Sequence, residues 1–159
     1  MPGRKLILGG VEIPFERGLL GYSDGDVLLH AVADALLGAA GKGDIGQHFP
    51  SSDPQYKGIP SLRLLERVAG LLKKDGFAVV NIDASVLAEG PLLSPYFEAM
   101  KKKIASALGL DARNIGIKAT TQEGLGAVGR GEGMAALAVT PRWLARLIIL
   151  SSISVKFWT

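Results

Sequence analysis

The 159-residue chain has no cysteine. That single absence excludes disulfides, thiolate zinc sites and cysteine nucleophiles. Histidine is scarce as well: His30 and His48 are the only two, and neither lies near an exposed serine elbow, which excludes a serine triad. Charge of one sign is nearly balanced, with 18 Lys and Arg against 15 Asp and Glu. The surplus of +3 is too small for a nucleic-acid groove, even at a sequence pI near 9.3. Long apolar runs are missing. The most apolar stretch, Leu144 to Val155, is interrupted by Arg146 and a serine-rich centre. Nothing approaches the roughly 18 to 20 apolar residues of a membrane span. Met1 to Gly10 is too short for a secretory signal, and Gly9-Gly10 ends its apolar run early. The expectation is a soluble intracellular protein with no nucleic-acid and no membrane partner.

What is present describes one globular domain. Hydrophobic residues make up 48% and charged residues 21%. A chain of this length buries roughly two thirds of the surface its unfolded form exposes, enough for a real core. The 21 glycines, about twice the usual share, follow no fixed period, so collagen-like and low-complexity readings fail.

Leu6 to Ile13 reads as a hairpin around Gly9-Gly10, with Pro14 limiting its second strand. After the loop Gly21 to Asp26, apolar residues three and four apart predict a helix from Val27 to Gly41 or Gly43, capped by Asp24 or Asp26. Asp44 to Pro60 reads as a long loop. Ser61 is expected to cap a second helix that stops at Gly76. Alternation over Phe77 to Ala88 predicts a strand with Ile82, Ala84 and Val86 on one face. Ser94-Pro95 is expected to cap a third helix reaching Leu108. A strand carrying Ile115, Ile117 and Ala119 ends in Thr120-Thr121, and Met134 to Thr140 reads as the last strand. Without strict βαβ alternation, the pattern predicts an α+β fold, a mixed β-sheet with helices packed on one face. Composition changes at Thr140-Pro141, and from Arg142 onward every charged residue is basic. The domain is therefore placed at 1–140, with 141–159 an apolar tail.

Three polar segments could carry chemistry. In Ser23-Asp24-Gly25-Asp26, His30 follows Asp26 by one helical turn, a spacing that suits a divalent metal. The plain alternative is two capping carboxylates and a satisfied core histidine. Asp44-Ile45-Gly46 with Phe49-Pro50 and Asp53 suits sugar hydroxyls or a phosphate-bound metal, or else is a solvated turn. Lys118 to Glu123, followed by Gly129-Arg130-Gly131-Glu132-Gly133, could cradle a diphosphate at a strand end, or form a glycine-rich hairpin with an incidental arginine. It has neither P-loop spacing nor a dinucleotide fingerprint.

Taken in order, these segments resemble the 2-C-methyl-D-erythritol 2,4-cyclodiphosphate synthase family of the non-mevalonate isoprenoid pathway. The resemblance runs from about Leu6 to Val139. It rests on Ile7 to Pro14, Ser23 to His30, Asp34 to Ala40, Gly43 to Pro50, Lys118 to Thr121 and Gly129 to Gly133. It implies a lyase that assembles as a homotrimer around a central sheet-lined axis, with active sites between subunits. The substrate implied is 4-diphosphocytidyl-2-C-methyl-D-erythritol 2-phosphate, whose 2-phosphate attacks the β-phosphate and expels CMP. Two divalent ions are implied, one at a zinc-type site and a magnesium or manganese ion with the diphosphate. Residue by residue, His30 matches a zinc-type ligand. Ser23, Asp44, Ile45, Gly46, Phe49, Pro50 and Asp53 match the methylerythritol phosphate site. Ala88, Pro91, Thr120, Thr121 and Glu123 match the cytidine and diphosphate pocket. Thr121 is the hydroxyl implied to polarise the attacked phosphate, and Arg130 the group that approaches the diphosphate. The compartment implied is the cytoplasm for a bacterial chain; a plastid would apply to a plant or alga, although no transit peptide is visible.

Several positions depart from the family pattern. The family's first strand ends in Asp-x-His and supplies two further zinc ligands, whereas Met1 to Lys5 contains neither Asp nor His. Tyr22 stands where a histidine is usual, Ser51 where an acid is, and Leu92 where a lysine is. These departures imply impaired turnover; the alternative is a catalytically inactive trimer subunit, or a cytidine-nucleotide-binding module of the same fold. The tail has no counterpart in the family. Two accounts of it compete: a β-rich segment that replaces the lost strand, since Leu147 to Phe157 has strand composition, or, for both ends of the chain, a wrongly predicted gene or a divergent copy. The second is preferred.

Overall fold

In the computed structural model, which describes residues 3–144 and 146–157, the chain opens with the hairpin β1 (Leu6–Leu8) and β2 (Val11–Ile13). Gly9 and Gly10 take φ of 59° and 73°, the left-handed pair that a two-residue hairpin turn needs. Their N–H groups donate to the two carboxylate oxygens of Asp26, at 3.0 and 2.7 Å. The same side chain caps helix α1 (Val27–Ala39) by accepting from Leu29 N. Helix α1 is buried on almost every side, the pattern of a helix enclosed by other layers.

The segment 44–60 is more ordered than the long loop expected of it. Asp44 caps a single helical turn, α2 (Ile45–His48), and Asp53 caps a 3₁₀ turn at Pro54–Tyr56. Such turns are organised by one carboxylate each and are too short to leave a periodic signal. Helix α3 (Ser61–Lys74) buries Leu64, Leu65, Val68 and Leu72. Ser61 is not its cap, contrary to expectation: Pro60 holds that position, and Asp24 takes both the Ser61 N–H at 2.9 Å and its hydroxyl at 2.5 Å. Ser94 does not cap α4 (Phe97–Leu108) either. With Pro95 it starts a separate 3₁₀ turn, Ser94–Tyr96, ahead of that helix.

Strand β3 (Ile82–Leu87) is shorter than the alternation over 77–88 suggests, because pairing to its neighbours begins only at Ile82 and Asp83. It lies parallel to β4 (Ile115–Thr120) and antiparallel to β5 (Gly133–Leu144). Between β4 and β5 a short helix, α5 (Gly126–Gly129), occupies the glycine-rich stretch. Strand β5 continues through Thr140-Pro141, and β6 (Arg146–Phe157) pairs antiparallel along its length, from Gly133↔Phe157 to Leu144↔Arg146. The tail therefore lies in the sheet, whose order is β4-β3-β5-β6.

Helix α1 packs across β5 and β6, α4 packs on β4, and α3 rests against both helices. Ile82, Ala84, Val86, Ile117, Met134 and Ala136 point into this core. Asp83, Ser85, Leu87, Leu137 and Val139 alternate with them and are exposed or half-buried. The result is the mixed α+β architecture read from the sequence. Among the described residues, no helix is long and apolar enough to cross a membrane.

Candidate active site

The loop before α1 is tied down from several directions. Gly25, at φ 82°, lets the chain turn where a Cβ would sit 2.5 Å from the Leu19 carbonyl oxygen. The Arg4 guanidinium donates to the carbonyls of Gly21 and Ser23. Asp26 is fully buried, and that burial pushes its carboxyl up to about 7 against the pull of its three N–H partners.

His30 rises from this loop into a network of hydroxyls. Its Nε2 lies 3.0 Å from the Oγ of both Ser23 and Ser61. Ser61 gives its one hydroxyl proton to Asp24, which can only accept. His30 then donates from Nε2–H to Ser61, a tautomer assigned from the network. Burial, with Lys156 adding to it, lowers the imidazole to about 4, so the ring is neutral at neutral pH.

A cleft of about 230 Å³ opens over this network. Ser23 and His30 lie at its base, Ile45, Gly46 and Phe49 form one wall, and Tyr22, Ser51 and Lys156 also line it. Phe49 is held by an edge contact with Tyr56, their ring centroids 5.5 Å apart. Asp44, Pro50 and Asp53 do not line the cleft. Asp44 accepts from Gln47 N, and Asp53 accepts from Gln55 N while its carbonyl receives the Tyr22 hydroxyl at 3.3 Å. Their carboxylates organise the turns that carry the wall. Lys156 was not foreseen. It comes from β6, and no local spacing links the end of the chain to the start of α1.

The second group gathers at the ends of the parallel pair. Register sets Leu87 beside Thr120, and Ala88 N donates to Thr120 O at 3.0 Å. Thr121 Oγ1 donates to Glu123 Oε1 at 2.6 Å, and Glu89 accepts from Gln122 N at 2.6 Å. Pro91 follows in the turn after β3, beside Leu92, which is 76% exposed. Arg130 stands apart: its Nε and Nη2 donate to the two carboxylate oxygens of Glu132, at 2.6 and 3.3 Å. None of these residues lines the His30 cleft, so the candidate residues form two separate groups in one chain.

A zinc ion does not fit the first of them. Catalytic zinc takes three protein ligands. Among the described residues no three His, Cys, Asp or Glu side chains gather, and His30 is the one imidazole in the cleft.

Comparison with known proteins identifies the family. A family model described as the YgbB family matches residues 1–141. The chain is 61% identical over 137 residues to the 2-C-methyl-D-erythritol 2,4-cyclodiphosphate synthase of Pelotomaculum thermopropionicum, covering 86% of this chain and 85% of that one. Identity to the protein of the same name from Trichlorobacter lovleyi is 57% over 136 residues, with coverage of 86% and 87%. Among solved structures, the bifunctional IspDF from Campylobacter jejuni superposes with a TM-score of 0.81 at 42% identity, over 99% of this chain and 39% of that one. The CDP complex of IspF from Plasmodium falciparum gives 0.73 at 28% identity, over 98% and 85%. On the match to residues 1–141 and on these identities, the chain belongs to the YgbB family.

Proposed function

We propose that the chain is a 2-C-methyl-D-erythritol 2,4-cyclodiphosphate synthase, which closes 4-diphosphocytidyl-2-C-methyl-D-erythritol 2-phosphate to the cyclic 2,4-diphosphate and releases CMP. The observation that carries this reading is the 61% identity, over most of both chains, to a protein of that name. The two half-sites support it. Ser23, Ile45, Gly46 and Phe49 form a cleft with one polar end and an apolar wall, suited to a small branched polyol phosphate. Asp44, Pro50 and Asp53 shape its rim. Ala88, Pro91, Thr120, Thr121 and Glu123 surround the ends of β3 and β4, and a cytidine diphosphate is the ligand assigned to them, in keeping with the Plasmodium falciparum relative's being a CDP complex.

The reaction asks for alignment of two phosphates and neutralisation of their charge, more than for acid–base work. Thr121 has a hydroxyl to turn from Glu123 toward the attacked phosphate, and Arg130 a guanidinium to exchange Glu132 for the diphosphate. A magnesium-type ion shared with a diphosphate needs only one or two protein carboxylates, and Glu123 has one in place. Such an ion would supply charge neutralisation there. Turnover is expected to be low, because the ligand set for the zinc-type ion is incomplete.

A trimer completes the site. The sheet face carrying Ser85, Leu87, Leu137 and Val139 is turned away from the helices, and exposed Leu92 and Leu125 flank the second half-site. Packing three such faces around an axis would bring the second half-site of one subunit to the cleft of the next. The test is CMP release from the cytidine diphosphate substrate, with zinc and magnesium supplied. Slow release is the expected result. CDP binding without any CMP release would establish the inactive nucleotide-binding subunit instead.

A further inference from the structure

We propose that Lys156 is the cationic group of the His30 half-site: strand β6 delivers its ammonium into the cleft to bind a phosphate of the ligand, at the place where the family pattern leads one to expect a metal ion. The proposal rests on reading this cleft as the phosphate end of the substrate site.

Three observations carry it. Lys156 lines the same cleft as Ser23, His30 and Tyr22, and its Nζ approaches the loop before α1 closely enough that a Cβ on Gly21 would lie 3.7 Å from it. Its place there is fixed by the sheet, since the pairing Met134↔Lys156 sets it one residue from the end of β6, beside the buried start of β5. Finally, the ammonium is half-buried, yet among the described residues it has no ion pair. Burial, with Arg4 adding to it, lowers its pKa, while Asp34 opposes that shift from a distance. A partly buried cation without a close counter-ion is left under-solvated, and an anion that enters the cleft relieves it.

The neighbours suit a phosphate rather than a carboxylate or a metal. Ser51 adds a hydroxyl donor along the cleft, and the Tyr22 hydroxyl, which donates to the Asp53 carbonyl, can turn toward an anion that enters. Phe49 and Ile45 keep water from one side, which strengthens the attraction between ammonium and phosphate. Two of the positions that depart from the family pattern, Tyr22 and Ser51, line this cleft, where the metal ligands are absent and a cation from β6 lies.

The test is titration calorimetry of the full chain with inorganic pyrophosphate in the presence of EDTA. The unmutated chain is expected to bind. Lys156→Met should weaken binding by about ten- to hundredfold, the loss of one charge-assisted hydrogen bond, and Lys156→Arg should stay within about threefold of the original. In the unmutated chain, the Lys156 side-chain NMR resonance should shift on saturation with pyrophosphate, a readout that does not depend on the folding of any variant. Equal binding by Lys156→Met, an unmoved resonance, no binding by the unmutated chain, or binding that EDTA abolishes and zinc restores would each overturn the proposal. A chain that binds pyrophosphate through Lys156 but releases no CMP sinks the synthase reading and leaves this one standing. A chain that releases CMP with the same KM in Lys156→Met does the reverse.

Discussion

Asp26 and His30 stand one helical turn apart and titrate in opposite senses. The buried Asp26 carboxyl is held up to about 7 from an ordinary 3.8, so between those values the folded chain keeps a proton that the unfolded chain has lost. Its contribution to stability is full below about pH 4 and is lost as pH rises toward 7. His30 is held down to about 4 from 6.5, so in that window the unfolded chain holds the extra proton and stability rises with pH. Each slope is about 1.4 kcal/mol per pH unit, and between about pH 4 and 6.5 the two cancel. Removing either group should reveal the other. From pH 4.5 to 6.0, urea unfolding of His30→Asn should show stability falling by about 2 kcal/mol, and Asp26→Asn should show it rising by about as much. Parallel profiles for both variants and the original chain would mean that folding shifts neither group. The pair was visible in the sequence as a spacing of four residues. Which of two carboxylates is the cap came only from the hairpin that folds back onto Asp26, and the enclosure of His30 only from Ser23, Ser61 and the cleft around them.

At the scale of elements, what was legible is what is local. Gly9-Gly10 encodes its own turn, and the apolar spacing of α1 and α3 encodes their buried faces. Non-local contacts decided what was misread. Ser61 has the chemistry of a cap, but Asp24, far earlier in the chain, takes its proton and its N–H. Strand β3 stops being a strand where its partners stop, whatever its own alternation. Lys156 reaches the cleft only because β6 pairs with β5, a consequence of sheet order that no spacing reports. Strand β6 also covers the edge of β5 and receives α1. A chain ending at Leu144 should therefore expose an unpaired strand edge under a buried helix. Its thermal midpoint should fall by more than about 10 °C, with aggregation on melting. A truncated chain that melts like the full one would show that β6 contributes little to the fold and that the β5 edge is covered by something else.

For the whole molecule, the separation of the candidate residues into two groups is the feature with the most consequence. The parallel register of β3 and β4 gathers Ala88 and Thr120 to Glu123 at one end of the sheet, while α1 and β6 gather Ser23, His30 and Lys156 elsewhere. Reading this as one active site shared between adjacent subunits of a trimer makes a quantitative prediction. Lys156→Met damages only the cleft, and Thr121→Ala damages only the strand-end pocket. Each homotrimer of a single variant should be nearly inactive in CMP release, because every interface contains the same damaged half. In trimers refolded from an equal mixture, an interface works when the cleft comes from the Thr121→Ala chain and the pocket from the Lys156→Met chain. Random cyclic assembly makes that combination at about one interface in four, so the mixture should recover about a quarter of the unmutated activity. Recovery near that level places the reaction between subunits. A mixture no more active than its components would mean that both halves serve the same subunit, and that the two groups of residues do not meet across a trimer interface.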